Sequence, residues 1–560
     1  MDAKTAASHA ATVQSIAAAV KTFHARRQPF RIHHGSTNST RPAHGQPVVD
    51  ISALNHVLHV DKVAKTVSVE PNVAMDGLLD AVLPHNLVPP VVMEFPGITA
   101  GGAFAGSAGE SSSFRHGAFD AAVTCVEMVL ANGDIVEASP TQNADLFAAA
   151  PGALGTLGIV TRLDLRLLDA ESYVRVEYSL HTTVEATCAA VEAATHVAAN
   201  DFVEGILFSA TQGLVITGTM SRSIPIDVTL RTFSHARDPW FYLHARDRAA
   251  ALAALRKGQA PPPADYLPLR DYLFRYDRGG FWTGALAFAY FRPLVPFTPL
   301  TRRLLNPLMR TRNLYRAGLG GGSRMTFRYL VHDLAVPYAA APALVDHLVA
   351  TNPVWPLWLC PLPAIATPTF HPATDPPGAP SLNVGVWGRG PHDLEAFVRT
   401  NRDLEAKVRA LGGRKVLYSH AYYDEDDFWA IYGRAWYDEL RLKYHATTLP
   451  TVYDKVRVDI EKERAKKGLV DRLAVKWPFA GLIGVLYSHA YYDEDDFWAI
   501  YGRAWYDELR LKYHATTLPT VYDKVRVDIE KERARKGFVD RLAVKWPFAG
   551  LIGVASALRS

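Results

Sequence analysis

The sequence predicts an α+β protein of at least two domains, and three observations carry that prediction. Its 560 residues exceed what a single core usually supports. From about residue 29 to 170, short β-rich runs (PVVDIS, TVSVEP, VTCVEMVLANGDIVEAS, LGIVTRLDLRLL) are separated by turn residues and interspersed with the helix-like AMDGLLDAVLPHN and ADLFAAAPGALG. From about 171 the pattern restarts, with YVRVEYSLH leading into an amphipathic stretch and then the strand pair FVEGILFS and GLVITGTM.

Taken in order, residues 1–170 form a first domain. Its alanine-rich N-terminus is helix-prone and lacks the apolar centre of a secretory leader. ANGDIV within it carries the Asn-Gly signal of a tight hairpin. Residues 171–415 form a second domain, with further strands at WPLWLCPLP and LNVGVWG. Inside it the stretch 279–310 mixes aromatic and aliphatic residues with Arg292, Arg302, Arg303 and Arg310. That composition suits a segment lying on a membrane surface, and it equally suits a core helix pair with arginine edges. Its apolar run GGFWTGALAFAYF, between Arg278 and Arg292, is too short to span a bilayer. Residues 416–484 are then repeated almost verbatim as 485–553, with Lys466 replaced by Arg535 and Leu469 by Phe538. Two identical units cannot occupy one docking site. The first copy continues the preceding domain directly and is expected to be the one that docks.

Composition excludes several functions. A net charge of +4, with no basic run interleaved with aromatics, argues against a nucleic-acid partner. The three cysteines, Cys125, Cys188 and Cys360, match no metal or disulfide spacing, so no metal is expected and a reducing compartment is. With no leader and no spanning segment, the expected location is cytoplasmic, with peripheral contact at the endoplasmic reticulum membrane.

Chemistry is concentrated in three glycine-rich stretches. FPGITAGGAFAGSAGESSSFRHG (95–117) holds six glycines and four serines, and FRIHHGSTNSTRP (30–42) has the same character. Such loops are often plain turns, but two on one domain can converge on a diphosphate through backbone N–H groups and hydroxyls. GALGTLGIVT (152–161) places glycines just before a strand, where a flat ring can stack on bare backbone. Together they point to a phosphate-bearing ring cofactor.

The order HHGSTNST, PGITAGGAFAG, VEMVLANGDIVEAS, GTLGIVT resembles the PCMH-type FAD-binding domain of the vanillyl-alcohol-oxidase superfamily. GESSSFRHGAFD, ADLFAAAPGALGTLG, FVEGILFS, DPWFYLHAR, YLPLRDY, WPLWLCP and LYSHAYYDEDDFW narrow the resemblance to the delta(24)-sterol reductase (Diminuto) family, over residues 48–455. The resemblance implies FAD held at its diphosphate by Gly35, Ser36, Thr37, Asn38 and Ser39 on one side. Gly101, Gly102, Gly106, Ser107, Gly109 and Ser112 hold it on the other, and Gly155, Thr156, Gly158 and Ile159 meet the ring or its ribityl chain. Several relatives bond the flavin covalently through a first-loop histidine. Asn38 occupies that place here, which implies non-covalent FAD, unless His33 or His34 takes the role. The sterol reductases begin with a membrane-spanning helix, and this sequence shows no such stretch.

The resemblance further implies NADPH as hydride donor, a lipophilic sterol as partner, and reduction of its side-chain double bond. An isolated alkene is poorly electrophilic, so hydride delivery needs a proton donor across a dry pocket. Tyr418, His420, Tyr422 and Tyr423 are the candidates, against the alternative of an aromatic packing cluster. Asp424 to Asp427 fit a helix start. Arg270, Arg275 and Arg278 could attract cofactor phosphates or form a basic rim. GLGGGS (318–323) lacks the strand and acidic residue of a dinucleotide loop. The alternatives are a flavin oxidase of an alcohol or polyol using oxygen, and a catalytically silent lipid-binding protein that keeps the flavin fold.

Overall fold

The structure is a computed structural model that describes residues 3–35, 47–256, 259, 262–292, 294–319 and 327–461. Helix α1 (Ala3–Ala25) opens the chain and buries Val13, Ile16, Ala17 and Val20. Five antiparallel strands then form a first sheet: β1 (Val57–Asp61), β2 (Thr66–Val69), β3 (Val123–Val129), β4 (Ile135–Ala138) and β5 (Ile159–Arg166), in the order β1-β2-β5-β3-β4. The Asn-Gly turn joins β3 to β4, with Val129 paired to Ile135. In β5 the alternation IVTRLDLR puts Ile159, Thr161, Leu163 and Leu165 inside. A short helix, α2 (Ala100–Ala105), begins in the second glycine-rich stretch, where the Thr99 hydroxyl accepts a hydrogen bond from the Gly102 amide.

One polar cluster ties α1 to this sheet. Buried His9 sits between Glu70 (2.8 Å) and Glu127 (3.1 Å). Hydrogen bonds to these carboxylates raise it to about 9, while Glu70 and Glu127 are lowered from 4.5 despite desolvation. A raised histidine stabilises fully below its unfolded value of 6.5 and stops doing so as pH climbs through about 9. The depressed glutamates stabilise above 4.5 and stop doing so in acid. Docking of α1 is therefore tightest between these limits and loosens toward alkaline pH. His9→Ala is expected to weaken it by roughly 1–3 kcal/mol, because buried Glu70 and half-buried Glu127 lose a donor. Lower amide-exchange protection factors across residues 3–25, which no longer fall as pH rises from 7 toward 9, check this.

After β5 the chain builds a second, eight-stranded sheet. Its strands are β6 (Tyr173–His181), β7 (Phe202–Ser209), β8 (Gln212–Ser221), β9 (Asp265–Pro268), β10 (Tyr329–Pro337), β11 (Leu357–Leu362), β12 (Ser381–Arg389) and β13 (Arg414–Lys415). Their order is β9-β6-β8-β7-β11-β12-β10-β13. Period-two alternation gives this sheet two different faces. Leu334, Leu357, Leu359, Leu382, Val384 and Val386 pack with α3 (Val184–Thr195), α4 (Ala341–Thr351) and α5 (Leu394–Ala410) into a separate core. Asp333, Trp358, Cys360, Asn383 and Trp387 alternate with them and face the other way, toward the first domain.

Beyond Lys415 the chain returns to that first domain. The Asp424 carboxylate caps α6 (Glu425–Tyr432), as the acidic run predicts. From α7 (Arg434–Lys443) the Tyr437 hydroxyl donates to Thr156 Oγ1 at 2.6 Å, and Lys443 and Tyr444 both reach Asp145. From α8 (Val452–Val456), Lys455 donates to the Leu154 carbonyl at 2.7 Å. The first copy is docked as far as residue 461, and residues 485–553 lie outside the described residues.

In the arginine-studded region, Arg275 and Arg278 depart from the rim or phosphate role expected of them. Arg275 is buried against Glu204 at 2.9 Å, and Arg278 is buried against Asn306 Oδ1 and the carbonyls of Phe233, Ala236 and Asp238. Neither can form a rim or greet a phosphate, because each already spends its donors inside the protein. Arg270 is exposed and pairs with Asp80. The 279–310 stretch divides in two. Phe281, Trp282 and Phe288 are core, whereas Leu294, Phe297, Leu300 and Leu304 are exposed beside Arg303. Among the described residues no helix is long and apolar enough to cross a membrane.

Candidate functional site

A cavity of about 630 Å³ lies between the glycine-rich loops and the inner face of the second sheet. Gly35, Gly101, Gly102, Gly106, Ser107 and Gly109 line its first wall, and Gly155, Gly158 and Ile159 continue that wall. Small residues are obligatory at two of these places. A Cβ on Gly101 would lie 2.6 Å from the Pro71 Cβ, so α2 can approach the preceding turn only with bare backbone. Gly155 has φ +71° and would press a Cβ to 2.6 Å from the Ile32 side chain. Ser107 Oγ is buried without a hydrogen-bond partner at this wall. Arg31, His33, His34 and Lys455 line the cavity where the Arg31–His33 strand meets the 154–158 turn. Backbone stripped of side chains, an unspent hydroxyl and the cationic side chains of Arg31 and Lys455 suit a diphosphate carried by a flat ring. These residues fit FAD.

Two expected cofactor contacts turn away from the cavity. Ser112 gives its hydroxyl to the Pro90 carbonyl and its amide to Glu110, because Glu110 gathers the Ser111–Ser112 turn around its own carboxylate. Thr156 gives its hydroxyl to the Ala153 carbonyl and accepts from Tyr437. Ser36, Thr37, Asn38 and Ser39 lie outside the described residues.

The opposite wall is largely aromatic. Phe281 packs on Trp387 (4.6 Å between ring centroids) and Trp358 (5.2 Å), and Phe95 closes the edge against Phe281 and Tyr315. Trp358 is fixed from behind by its indole N–H donating to Glu204, whose other oxygen holds Arg275. The two walls meet where Cys360 donates its thiol hydrogen to the Glu110 carbonyl, and burial pushes that thiol up.

Of the four proton-donor candidates, the cavity receives Tyr418 alone. His420 stacks on Phe327, Tyr422 packs in the second core against Phe397, and Tyr423 is buried with Phe428. The Tyr418 hydroxyl accepts from the Trp387 indole at 3.1 Å and shares the cavity wall with the Asp333 carboxyl. Burial pushes the phenol well above its usual range and Asp333 up to about 6. Asn383 Nδ2 donates to Asp333 at 2.7 Å, leaving its own Oδ1 buried without a partner. Glu94 also lines the cavity, and burial lifts it to about 8. Sequence reasoning missed Glu94, Asp333, Asn383 and Lys455. A lone aspartate in YLVHDLAVP and a lone asparagine in SLNVGVWG, each inside an apolar strand, were the available signals.

The arrangement can therefore hold a flavin on one side and present a neutral phenol to a lipophilic molecule on the other. Residues 5–139 match the family described as FAD binding domain. The chain is 29% identical over 412 residues to the delta(24)-sterol reductase of Macaca fascicularis, covering 72% of this chain and 76% of that one. It is 28% identical over 454 residues to the delta(24)-sterol reductase of Arabidopsis thaliana, covering 74% and 77%. A shorter likeness, 32% over 129 residues, covers 23% of this chain and 28% of the decaprenylphosphoryl-beta-D-ribose oxidase of Mycolicibacterium smegmatis. The glycine-lined wall, the FAD binding domain matched at residues 5–139 and these similarities make the chain an FAD-dependent oxidoreductase with a PCMH-type FAD-binding domain, similar to the delta(24)-sterol reductases along most of its length.

Proposed function

We propose that the chain reduces a carbon–carbon double bond in a sterol side chain, using NADPH to reduce non-covalent FAD. The observation that carries this reading is the single cavity with a cofactor wall on one side and the Tyr418 hydroxyl, set among aromatic rings, on the other. When bound, the flavin supplies hydride. The glycine wall orients it, with Arg31 and Lys455 beside it as cations. Phe281, Trp358 and Trp387 exclude water and give a hydrocarbon side chain its surface. Tyr418 holds the proton for the second alkene carbon. The exposed Leu294, Phe297, Leu300 and Leu304, beside Arg303, are the face we assign to a lipid surface, from which such a substrate partitions.

Anaerobic mixing with NADPH is expected to bleach the flavin's visible band, and a sterol with a side-chain alkene is expected to restore it. A flavin left oxidised by NADPH, with peroxide formed from an alcohol, would replace this reading by the oxidase. Acid precipitation is expected to release the flavin. Flavin that stays with the protein would implicate His33 or His34, both of which line the cavity.

A further inference from the structure

We propose that Phe281 sets the length of side chain the cavity accepts, and that Tyr276 and Glu204 hold its ring in place. This deepens the proposed alkene reduction and rests on it for the class of substrate.

The backbone at Phe281 is strained. Its φ is +58°, in the left-handed region that a bulky side chain rarely adopts, and it follows Gly279 at +86° and Gly280 at +49°. Such a conformation persists only where its surroundings over-determine it. Here the Gly279 amide donates to the Met309 carbonyl at 2.7 Å and the Gly284 amide to the Gly279 carbonyl at 2.8 Å. The Thr283 hydroxyl donates to the Gly280 carbonyl at 2.8 Å. The turn also lies so close to Trp240 that a Cβ on Gly279 would stand 2.5 Å from the indole ring. Its product is an aromatic ring carried to the cavity wall that faces the glycines.

Behind that ring stands Tyr276, which is not a lining residue. The two rings stack with centroids 3.8 Å apart and planes at 22°. The Tyr276 hydroxyl donates to Glu204 Oε2 at 3.0 Å, the same oxygen that takes the Trp358 indole N–H at 2.7 Å. Arg275 occupies Oε1 through Nε at 3.0 Å and Nη2 at 2.9 Å, so the carboxylate is paired where it is fully buried. One anion thus fixes both the ring behind Phe281 and the ring beside it. Trp282 and Phe95, each 5.8 Å away, close two further sides, and a ring packed in this way resists displacement. A hydrocarbon chain one carbon too long therefore meets a wall that does not give.

Two measurements on the flavin-loaded full chain test this, with retained visible FAD absorbance showing that each variant is folded. The first is calorimetric titration with straight-chain primary alkanols of increasing length. Wild-type affinity should rise with each carbon and then fall by roughly 10-fold or more at one length. Phe281→Leu should move that break to longer chains. Tyr276→Phe keeps the stack and loses only the hydroxyl, and it should blunt the break because the ring can then yield. A tyrosine that merely supported the fold would lower the unfolding temperature and leave the break sharp, which would overturn its positioning role. No break in the wild type, or the same break in Phe281→Leu, overturns the proposal whatever the substrate is.

The second is flavin reoxidation, after NADPH reduction, by sterol alkenes that differ by one carbon beyond the double bond. The wild type should favour the shorter by roughly 10-fold or more, and Phe281→Leu should narrow or invert that ratio. An unchanged ratio overturns the proposal. A flavin that NADPH reduces but no sterol reoxidises ends the sterol reading, and the alkanol series still decides the role of Phe281.

Discussion

Gly101→Val is expected to give a folded protein that no longer retains FAD through purification. The position tolerates no Cβ: at 2.6 Å from the Pro71 Cβ, 3.0 Å from its carbonyl oxygen and 3.1 Å from its Cα, the new atom meets backbone rather than a side chain that can swing aside. The contact is also pinned, because the Gly101 amide donates to the Pro71 carbonyl and the Ala100 amide to Val73, both at 2.8 Å. Helix α2 must therefore move, carrying Gly102, Gly106 and Ser107 with it. Overpacking of this kind costs about 1–3 kcal/mol. If that cost falls on the cofactor-bound geometry, affinity drops roughly 10- to 100-fold. Gly77→Ala is the control, since nothing lies within 4 Å of its Cβ position and it sits inside a helix, Met75–Val82. That change should leave FAD content unaltered and help stability slightly. Absorbance ratios of visible to ultraviolet bands, with thermal unfolding to confirm folding, read both variants. Full retention of FAD by Gly101→Val would mean that this loop does not hold the cofactor.

The first wall of the cavity was legible in the sequence because its signal is local. Glycines 101, 102, 106 and 109 fall within nine residues, and their function follows from backbone that no side chain obstructs. What local reading could not decide is direction. Ser112 and Thr156 sit in the right loops but spend their hydroxyls on Pro90, Ala153 and Tyr437, partners set by the turn and by a helix 281 residues away. The second wall was hidden for a different reason. Asp333, Trp358, Asn383 and Trp387 come from three strands whose faces are both buried, so alternation no longer separates polar from apolar and each polar residue looks like an isolated anomaly. Their convergence is a property of strand order. The same holds for Arg275 and Arg278, whose charges suggested a rim. Their partners, Glu204 and the carbonyls around Phe233, are 71 and 45 residues distant, and only the fold brings them close enough to offset burial.

Removing residues 485–560 is expected to leave FAD content and reoxidation by substrate intact, whereas ending the chain at residue 415 is expected to abolish both. The difference follows from what residues 416–461 do. They put Tyr418 into the cavity wall and Lys455 beside the 154–158 turn, and they bury Leu417, Phe428, Tyr432, Tyr437, Val452 and Val456. Six such side chains, at about 1.5–3 kcal/mol each, amount to on the order of 10 kcal/mol. That is comparable to the net stability of an entire domain, roughly 5–15 kcal/mol. A chain ending at 415 would also expose Phe370, whose ring packs on Tyr432, Trp436 and Tyr437. The first copy meets these demands with its own side chains, and a second copy of the same text has no second Asp145, Leu154 or Thr156 to bind. Flavin content and thermal unfolding of the two truncations check the point. Loss of FAD on removing 485–560 alone would assign the docking role to the second copy, with Tyr487 and Lys524 in place of Tyr418 and Lys455. Retention of FAD and turnover by 1–415 would remove Tyr418 from the chemistry.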